Sequence, residues 1–180
     1  MESKAKLAGH PIHPMLIVFP LGLLVMAVIF DLIAFFAGST QLFVASYWMI
    51  AAGIIGGLAA AVFGFIDWLA IPGGTRAKGI GLWHGLGNVV VVALFAVAWW
   101  LRMDNGAVHE SGISSLGLEV VAILIGTVTG WLGGELVDRL GVGVDRGAHL
   151  NSPSSLSGRP AYDGVIDDHS TVVEPTRRVA

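Results

Sequence analysis

The sequence predicts an all-α integral membrane protein: a four-transmembrane-helix, up-down bundle followed by a disordered C-terminal tail. Of the 180 residues, 54% are hydrophobic and only 13% are charged, and the mean hydropathy is +0.76. A soluble domain of this size cannot bury that much apolar surface. The apolar residues are also concentrated in four segments, each long enough to cross a bilayer.

The four segments define the predicted spans at about 15–37, 42–66, 80–101 and 113–137. At 1.5 Å per residue each forms roughly 33–37 Å of helix, and the first is too long for a signal peptide. The short connection "GSTQ" makes the first two spans antiparallel neighbours. Residues 1–14 are predicted to be a lead-in and residues 15–145 the membrane domain. The tail, residues 146–180, is polar and aperiodic, which is typical of disorder.

Basic residues predict the orientation of the bundle. Arg102 is the one basic residue on one side, whereas six lie on the side that holds the N-terminus, the second loop and the start of the tail: Lys4, Lys6, Arg76, Lys78, Arg139 and Arg146. Because basic residues accumulate in cytoplasmic loops, both termini are expected in the cytoplasm.

The composition also excludes several classes of function. The chain has no cysteine, which excludes disulfides, thiolate-ligated iron–sulfur clusters and thiol catalysis. The formal net charge of −3 argues against nucleic acid as a partner. The first partner that the apolar segments predict is the lipid bilayer. We find no phosphate loop, dinucleotide fingerprint or nucleophile–base pairing, so an enzyme is not predicted.

A polar layer is predicted at the cytoplasmic ends of the spans. His84 lies about one turn inside the third span, and Asn88 follows at i+4 on the same face. The other members flank the remaining spans: His10, His13, Asp67, Glu135, Asp138 and Arg139.

Haem b is the first ligand that this layer suggests, since a four-helix bundle can hold haem between facing helices through histidine imidazoles. His84 is the best candidate ligand, with His13 or His10 as the second and Asn88 beside them. The first hypothesis is therefore a haem b or quinone-linked electron-transfer component with a redox protein as partner.

Two alternatives stay open. In a metal-ion or proton-coupled carrier or sensor, imidazole and carboxylate groups would bind a divalent transition ion, the ligands being His84, His13, Asp67 and Glu135. In an accessory protein without a cofactor, the layer is structural: Glu135 and Arg139 form an i,i+4 ion pair, and Asp67 ends its helix.

The sequence "HPIHP" is not expected to form a compact chelate. Proline disfavours a helical conformation in the residue before it, and in a polyproline II segment His10 and His13 would lie about 9 Å apart. We expect Pro14 to be the first helical residue with His13 at the cap, so that at most one of the two histidines reaches His84. Pro20 is predicted to bend the first span because it lacks an N–H donor.

Two carboxyl groups lie deeper, toward the other side of the membrane. Asp31 and Glu119 are each about six residues from the ends of their spans, and no basic partner is expected at their depth. A buried carboxyl without a counter-charge tends to stay protonated. The pair is therefore a candidate proton site, with hydrogen bonding to a neighbouring helix backbone as the structural alternative.

Glycines spaced by four residues predict close helix packing, either within one chain or between copies in a homo-oligomer. They form three groups: Gly53 and Gly57; Gly81 and Gly85; Gly126, Gly130 and Gly134.

The chain resembles a bacterial family of predicted membrane proteins, domain of unknown function 2231. The matching stretches are "HPIHPMLIVFPLGLL", "FGFIDWLAIP", "LWHGLGN" and "GWLGGELVDRLGVGV", within about residues 9–145. The resemblance implies a four-span protein of the bacterial inner membrane without an assigned activity. Members joined to Rieske or cytochrome c domains imply electron transfer near the membrane. The family's last motif often has histidine where this chain has Leu140.

Overall fold

A computed structural model describes residues 1–164 and confirms the predicted fold class. Within this range, four helical segments are long and apolar enough to cross a membrane. The first consists of two helices and the fourth ends in a π-helical turn, Glu135–Arg139. The helices are α1 (Ile12–Leu16), α2 (Val18–Ala37), α3 (Thr40–Ala70), α4 (Arg76–Trp100) and α5 (Ile113–Gly134).

The first span is interrupted at Ile17, between α1 and α2. Pro20 explains the interruption, because it cannot donate the hydrogen bond that would continue the helix across this turn. The expectation that the helix begins at Pro14 is wrong: α1 begins at Ile12, and His13 is helical. Proline is tolerated there because the first N–H groups of a helix have no acceptor within it.

A small hairpin precedes the first span. Strands β1 (Lys6–Leu7) and β2 (His10–Pro11) pair antiparallel, with Leu7 opposite His10. Ala8 and Gly9 form the turn with positive φ angles of 51° and 83°. The N–H of Ile12 then donates to the carbonyl of Ala5 at 2.9 Å, which fixes where α1 begins.

The helices pack as an up-down bundle in which sequence neighbours are spatial neighbours. The most extensive contacts are between α2 and α3 and between α4 and α5, and α3 also packs on α4. The apolar core consists of Leu24, Ala27, Val28, Ile50, Val91, Phe95 and Ala122. It lies in the half of the bundle near Arg102, which we term the arginine end. The opposite end, with His13 and His84, is the histidine end.

The segment after the last span folds back toward the hairpin. It contains a 3-10 turn at Ser155–Ser157, and the Ser155 hydroxyl lies 3.2 Å from the Ala8 carbonyl and 3.3 Å from Nε2 of His10. The part of the predicted tail from residue 165 to residue 180 lies outside the described residues.

The predicted glycine pairs are only partly used inside the bundle. Gly53 packs against Leu24, and Gly81 packs against Trp68, where an added Cβ would come within 2.6 and 2.7 Å of those side chains. Gly85 and Gly130 are exposed and have nothing within 4 Å of an added Cβ in the described part of the chain. Packing between copies through these two glycines stays a prediction.

Candidate functional site

Two histidines face each other at the histidine end. His13 comes from α1 and His84 from α4, and their ring centroids are 6.3 Å apart with the ring planes at 87°. Both side chains are half-buried. The structure thus brings the first and third spans together at His84 and at His13, one of the two histidines that the sequence left open as the second ligand.

Each imidazole is fixed by a backbone carbonyl of a neighbouring helix. Nδ1 of His13 lies 2.9 Å from the carbonyl oxygen of Ala60, and Nδ1 of His84 lies 2.8 Å from that of Thr129. A carbonyl oxygen only accepts hydrogen bonds, so in both rings the network assigns the proton to Nδ1. In the neutral rings Nε2 is then the unprotonated nitrogen, which is the atom that can bind a metal.

Glycines provide the space for both imidazoles. An added Cβ at Gly64 would lie 2.9 Å from the His13 ring, and one at Gly133 would lie 3.1 Å from the His84 ring. Neither glycine belongs to the pairs that the sequence analysis selected. Their role depends on which helix faces which, so the spacing of glycines in the sequence could not identify it.

Asn88 links His84 to the last span. Its amide donates to the His84 carbonyl at 2.8 Å, and it lies 3.3 Å from Nε2 of the same histidine. Its oxygen accepts from the hydroxyl of Thr129 at 3.1 Å, and Thr129 also supplies the carbonyl that fixes His84. The predicted neighbourhood of His84 and Asn88 is therefore present, with Thr129 as a member that the sequence analysis missed.

His10 and Asp67 are engaged elsewhere. His10 is exposed in β2 and lies near Ser155. Asp67 accepts from the Ser3 hydroxyl at 2.8 Å and from the N–H of Lys4 at 2.7 Å, so it anchors the N-terminal segment. Asp67 does more than end its helix, because it connects α3 to residues far away in the sequence.

Glu135 pairs with Arg76 at 2.5 Å, and the expected ion pair with Arg139 is not formed in the described structure. Since Glu135 and Asp67 are both bonded to other groups, the structure does not unite the four predicted metal ligands. Among residues 1–164 no cluster of three or more histidine or acidic side chains is arranged to hold a metal ion.

The expectation that Asp31 and Glu119 lack a basic partner is wrong. The guanidinium of Arg102 reaches back into the bundle and donates to both oxygens of Asp31, at 2.7 and 3.1 Å. It lies 3.5 Å from Glu119. All three side chains are completely buried. A long arginine side chain near the end of a span can reach carboxyl groups deeper in the bundle, which residue counting along separate helices does not reveal.

Further polar groups complete what we term the Arg102 cluster: Asp31, Ser46, Arg102 and Glu119. Arg102 also donates to the Phe43 carbonyl at 3.0 Å and to the Ser46 hydroxyl at 2.9 Å. The Ser46 hydroxyl in turn contacts Asp31. The cluster thereby includes groups from all four spans or their ends.

His109 contacts Arg102 at the arginine end of the bundle. Its carbonyl accepts from Nε of Arg102 at 2.9 Å, and its Nδ1 lies 3.1 Å from the Arg102 carbonyl. The imidazole stacks on Tyr47 with centroids 3.8 Å apart. The loop between the last two spans is therefore tied to the buried arginine, and neither His109 nor Tyr47 was singled out from the sequence.

Comparison with known proteins agrees with this architecture. A family model, predicted membrane protein (DUF2231), matches residues 9–146. This range includes His13, His84 and the whole Arg102 cluster. Neither a curated protein nor a solved structure matches the chain. The family match covers most of the 180 residues. The chain therefore belongs to the DUF2231 family of predicted membrane proteins.

Proposed function

We propose that the protein is an electron-transfer component of the membrane that binds haem b through His13 and His84. The observation that carries the proposal is the facing pair of imidazoles, 6.3 Å between centroids. Metal–nitrogen bonds of about 2.0–2.1 Å, plus about 1.1 Å from each nitrogen to its ring centre, put two imidazoles on one metal about 6 Å apart. The observed separation fits this value.

The hydrogen bonds of the pair support the same assignment. Metal-binding histidines usually donate their other ring N–H to a carbonyl or carboxylate, which fixes the tautomer and the ring orientation. His13 and His84 both do so, through Ala60 and Thr129. The same arrangement makes Nε2 the remaining nitrogen in both rings. That of His84 lies 3.3 Å from the Asn88 amide, which has to turn away for a metal to bind there.

The histidine end also differs from the arginine end in the exposure of its polar side chains. His13, His84 and Asn88 are half-buried although they lie inside the helices, whereas Asp31 and Arg102 have no exposed surface. Gly64 and Gly133 let the two imidazoles lie directly against the neighbouring helix backbones. The partial exposure of the rings makes them reachable from the surface of the bundle, which a ligand that enters between the spans requires.

Haem b would supply a one-electron iron couple. In this proposal the two histidines bind it, Ala60 and Thr129 orient them, and Asn88 borders the His84 side. The orientation predicted from the basic residues places the histidine end at the cytoplasmic face of the bacterial inner membrane. A redox protein would then dock on that face.

Absorption spectroscopy of the full chain tests the proposal. The protein is produced with haem supplementation, purified in detergent, and its reduced-minus-oxidised spectrum is recorded together with a metal analysis. We expect a haem b spectrum that is lost in His13→Ala and in His84→Ala. His10→Ala is the matched control, since His10 also precedes a proline but lies outside the pair, and it should keep the spectrum. Helix content and monodispersity are checked for every variant.

The other outcomes overturn the haem proposal. Haem retained in both His13→Ala and His84→Ala would place the ligands elsewhere. A colourless protein with a stoichiometric transition ion, lost in the same two variants, would favour the carrier or sensor hypothesis with the two imidazoles as ligands. A protein that binds neither haem nor metal would leave an accessory role.

A further inference from the structure

The Arg102 cluster contains one more acidic group than its positive charge can balance. Arg102 contributes one positive charge, while Asp31 and Glu119 could together contribute two negative charges. All three side chains are fully buried. A net negative charge enclosed in this way is costly, because burial removes the water that would stabilise it.

Hydrogen bonding distinguishes the two carboxyl groups. Asp31 accepts two bonds from the guanidinium and one from Ser46, so it is the carboxylate of the ion pair. The contact of Glu119 with Arg102 is long, at 3.5 Å, and its carboxyl group is hydrogen-bonded to that of Asp31. Within the described residues, its Oε2 is buried and faces no hydrogen-bond donor. An ionised carboxylate would need donors at both oxygens, whereas a protonated Glu119 can itself donate a hydrogen bond to the Asp31 carboxylate.

We propose that Glu119 is a reversible proton-binding site that holds its proton when the Asp31–Arg102 pair is intact. With Glu119 neutral, the cluster has one positive and one negative charge and is balanced. On release, the O–H bond of the Glu119 carboxylic acid breaks, its electron pair stays on the carboxylate, and the proton passes to hydroxide or water at the arginine end.

The surroundings leave few other groups that could take this role. Glu119 contacts two charged side chains, Asp31 on α2 and Arg102 after α4. The next titratable groups lie beside Arg102: Tyr47 on α3 and His109 in the loop before α5. His109 is half-buried and bonded to the Arg102 backbone. It therefore lies next to the cluster at the arginine end. The site is at the opposite end from His13 and His84, so it is independent of the proposed haem function.

Infrared spectroscopy of the full chain in lipid detects the proton directly. At neutral pH we expect a carbonyl-stretching band of a protonated carboxylic acid that shifts in D2O. The band should disappear in Glu119→Gln, which keeps the size and neutrality of the side chain and should fold. Glu110→Gln, which changes an exposed carboxyl in the same loop region, is the control and should keep the band.

A second variant tests the charge balance. In Asp31→Asn the guanidinium loses its carboxylate, so Glu119 should give up its proton and the band should vanish although Glu119 is still present. A band that persists in Glu119→Gln, or that is absent from the wild-type protein, would overturn the proposal. If Asp31→Asn does not fold, the comparison of Glu119→Gln with Glu110→Gln decides alone.

Discussion

Arg102 donates to both carboxylate oxygens of Asp31, at 2.7 and 3.1 Å, and neither side chain has any exposed surface. This contact ties the end of the third span to the first span. The same guanidinium reaches Phe43 and Ser46 on the second span and Glu119 on the fourth. One side chain therefore connects all four spans, at the end of the bundle where the apolar core is also located.

Removing the charge of Arg102 is expected to destabilise the protein strongly. Arg102→Met keeps much of the side-chain volume but leaves Asp31 buried without a positively charged partner. Breaking one half of a buried pair typically costs about 3–5 kcal/mol. The free energy of unfolding, measured by denaturant titration in mixed micelles, should fall by about that amount.

Arg76→Met is the matched control for this change. Arg76 also pairs with a glutamate, at 2.5 Å, but its side chain is 61% exposed. Pairs that solvent reaches are worth about 0–1 kcal/mol. Although the Glu135 side chain is only 15% exposed, this variant should therefore lose much less stability than Arg102→Met. Equal losses of unfolding free energy in the two variants would mean that the buried cluster contributes no more to stability than the Arg76–Glu135 pair.

The glycines beside the two histidines lead to a second prediction. Gly64→Ala would place a Cβ 2.9 Å from the His13 ring, which forces the imidazole or α3 to move. Overpacking of this kind costs about 1–3 kcal/mol and should also lower the yield of haem-loaded protein if His13 is a ligand. Thermal unfolding in detergent and the haem-to-protein ratio measure the two effects.

Gly85→Ala provides the comparison. It lies on α4 next to His84, yet an added Cβ meets nothing within 4 Å in the described part of the chain. Alanine favours the helix by up to about 1 kcal/mol over glycine, so this variant should be as stable as the wild-type protein or slightly more so. A loss at Gly85 as large as that at Gly64 would indicate that Gly85 packs against a second copy.

The four spans could be predicted from the sequence because each is a long apolar run, and such runs have few alternatives. The contacts between side chains of neighbouring spans could not be predicted in this way. The prediction placed Arg102 on the same side as Asp31 and Glu119 but treated each helix separately, so the reach of the arginine side chain was missed. The same limit explains why the partner of Glu135 was not predicted. Glu135 pairs with Arg76 of the neighbouring third span and not with Arg139, which is one turn away in the sequence.

The depth of the histidines followed from the predicted topology, which put His10, His13 and His84 at one level. Which of the two first-span histidines lies beside His84 stayed open, because that depends on the local backbone and on helix rotation. Their carbonyl partners, Ala60 and Thr129, have no polar pattern in the sequence that marks them. They act through backbone oxygens that every residue possesses, so only the folded arrangement identifies them.

Asp67 is predicted to hold the N-terminal segment against the bundle. Its carboxylate accepts from the Ser3 hydroxyl and from the N–H groups of Lys4 and Ala5. Asp67→Asn weakens these charge-assisted bonds, each worth about 1.5–3 kcal/mol. Amide hydrogen exchange should therefore become faster at Lys4 and Ala5 while the spans keep their protection. Asp138→Asn, an exposed carboxyl at the same end, should leave exchange at these residues unchanged.

A pH dependence of the same N-terminal segment follows from Lys6. Its ammonium contacts Asp145 and lies 3.2 Å from Glu2. The hydrogen bond to Asp145 raises the pKa of Lys6 above its ordinary value of 10.5, although burial opposes this. The hydrogen bond from Lys6 lowers the pKa of Glu2 below its ordinary value of 4.5.

The two shifts have opposite consequences. The contribution of Lys6 is fully present below pH 10.5 and is lost as the pH rises through its higher folded pKa. That of Glu2 is present above pH 4.5 and is lost as the pH falls through its lower folded pKa. The segment should therefore be held most firmly between these limits.

Limited proteolysis or amide exchange at residues 2–6, measured across this pH range and corrected for intrinsic rates, should show a plateau of protection with a loss at each end. In Lys6→Met protection should be lower at neutral pH and both losses should shrink, because each depends on the ammonium. A plateau that survives unchanged in that variant would show that the attachment of the segment does not depend on Lys6.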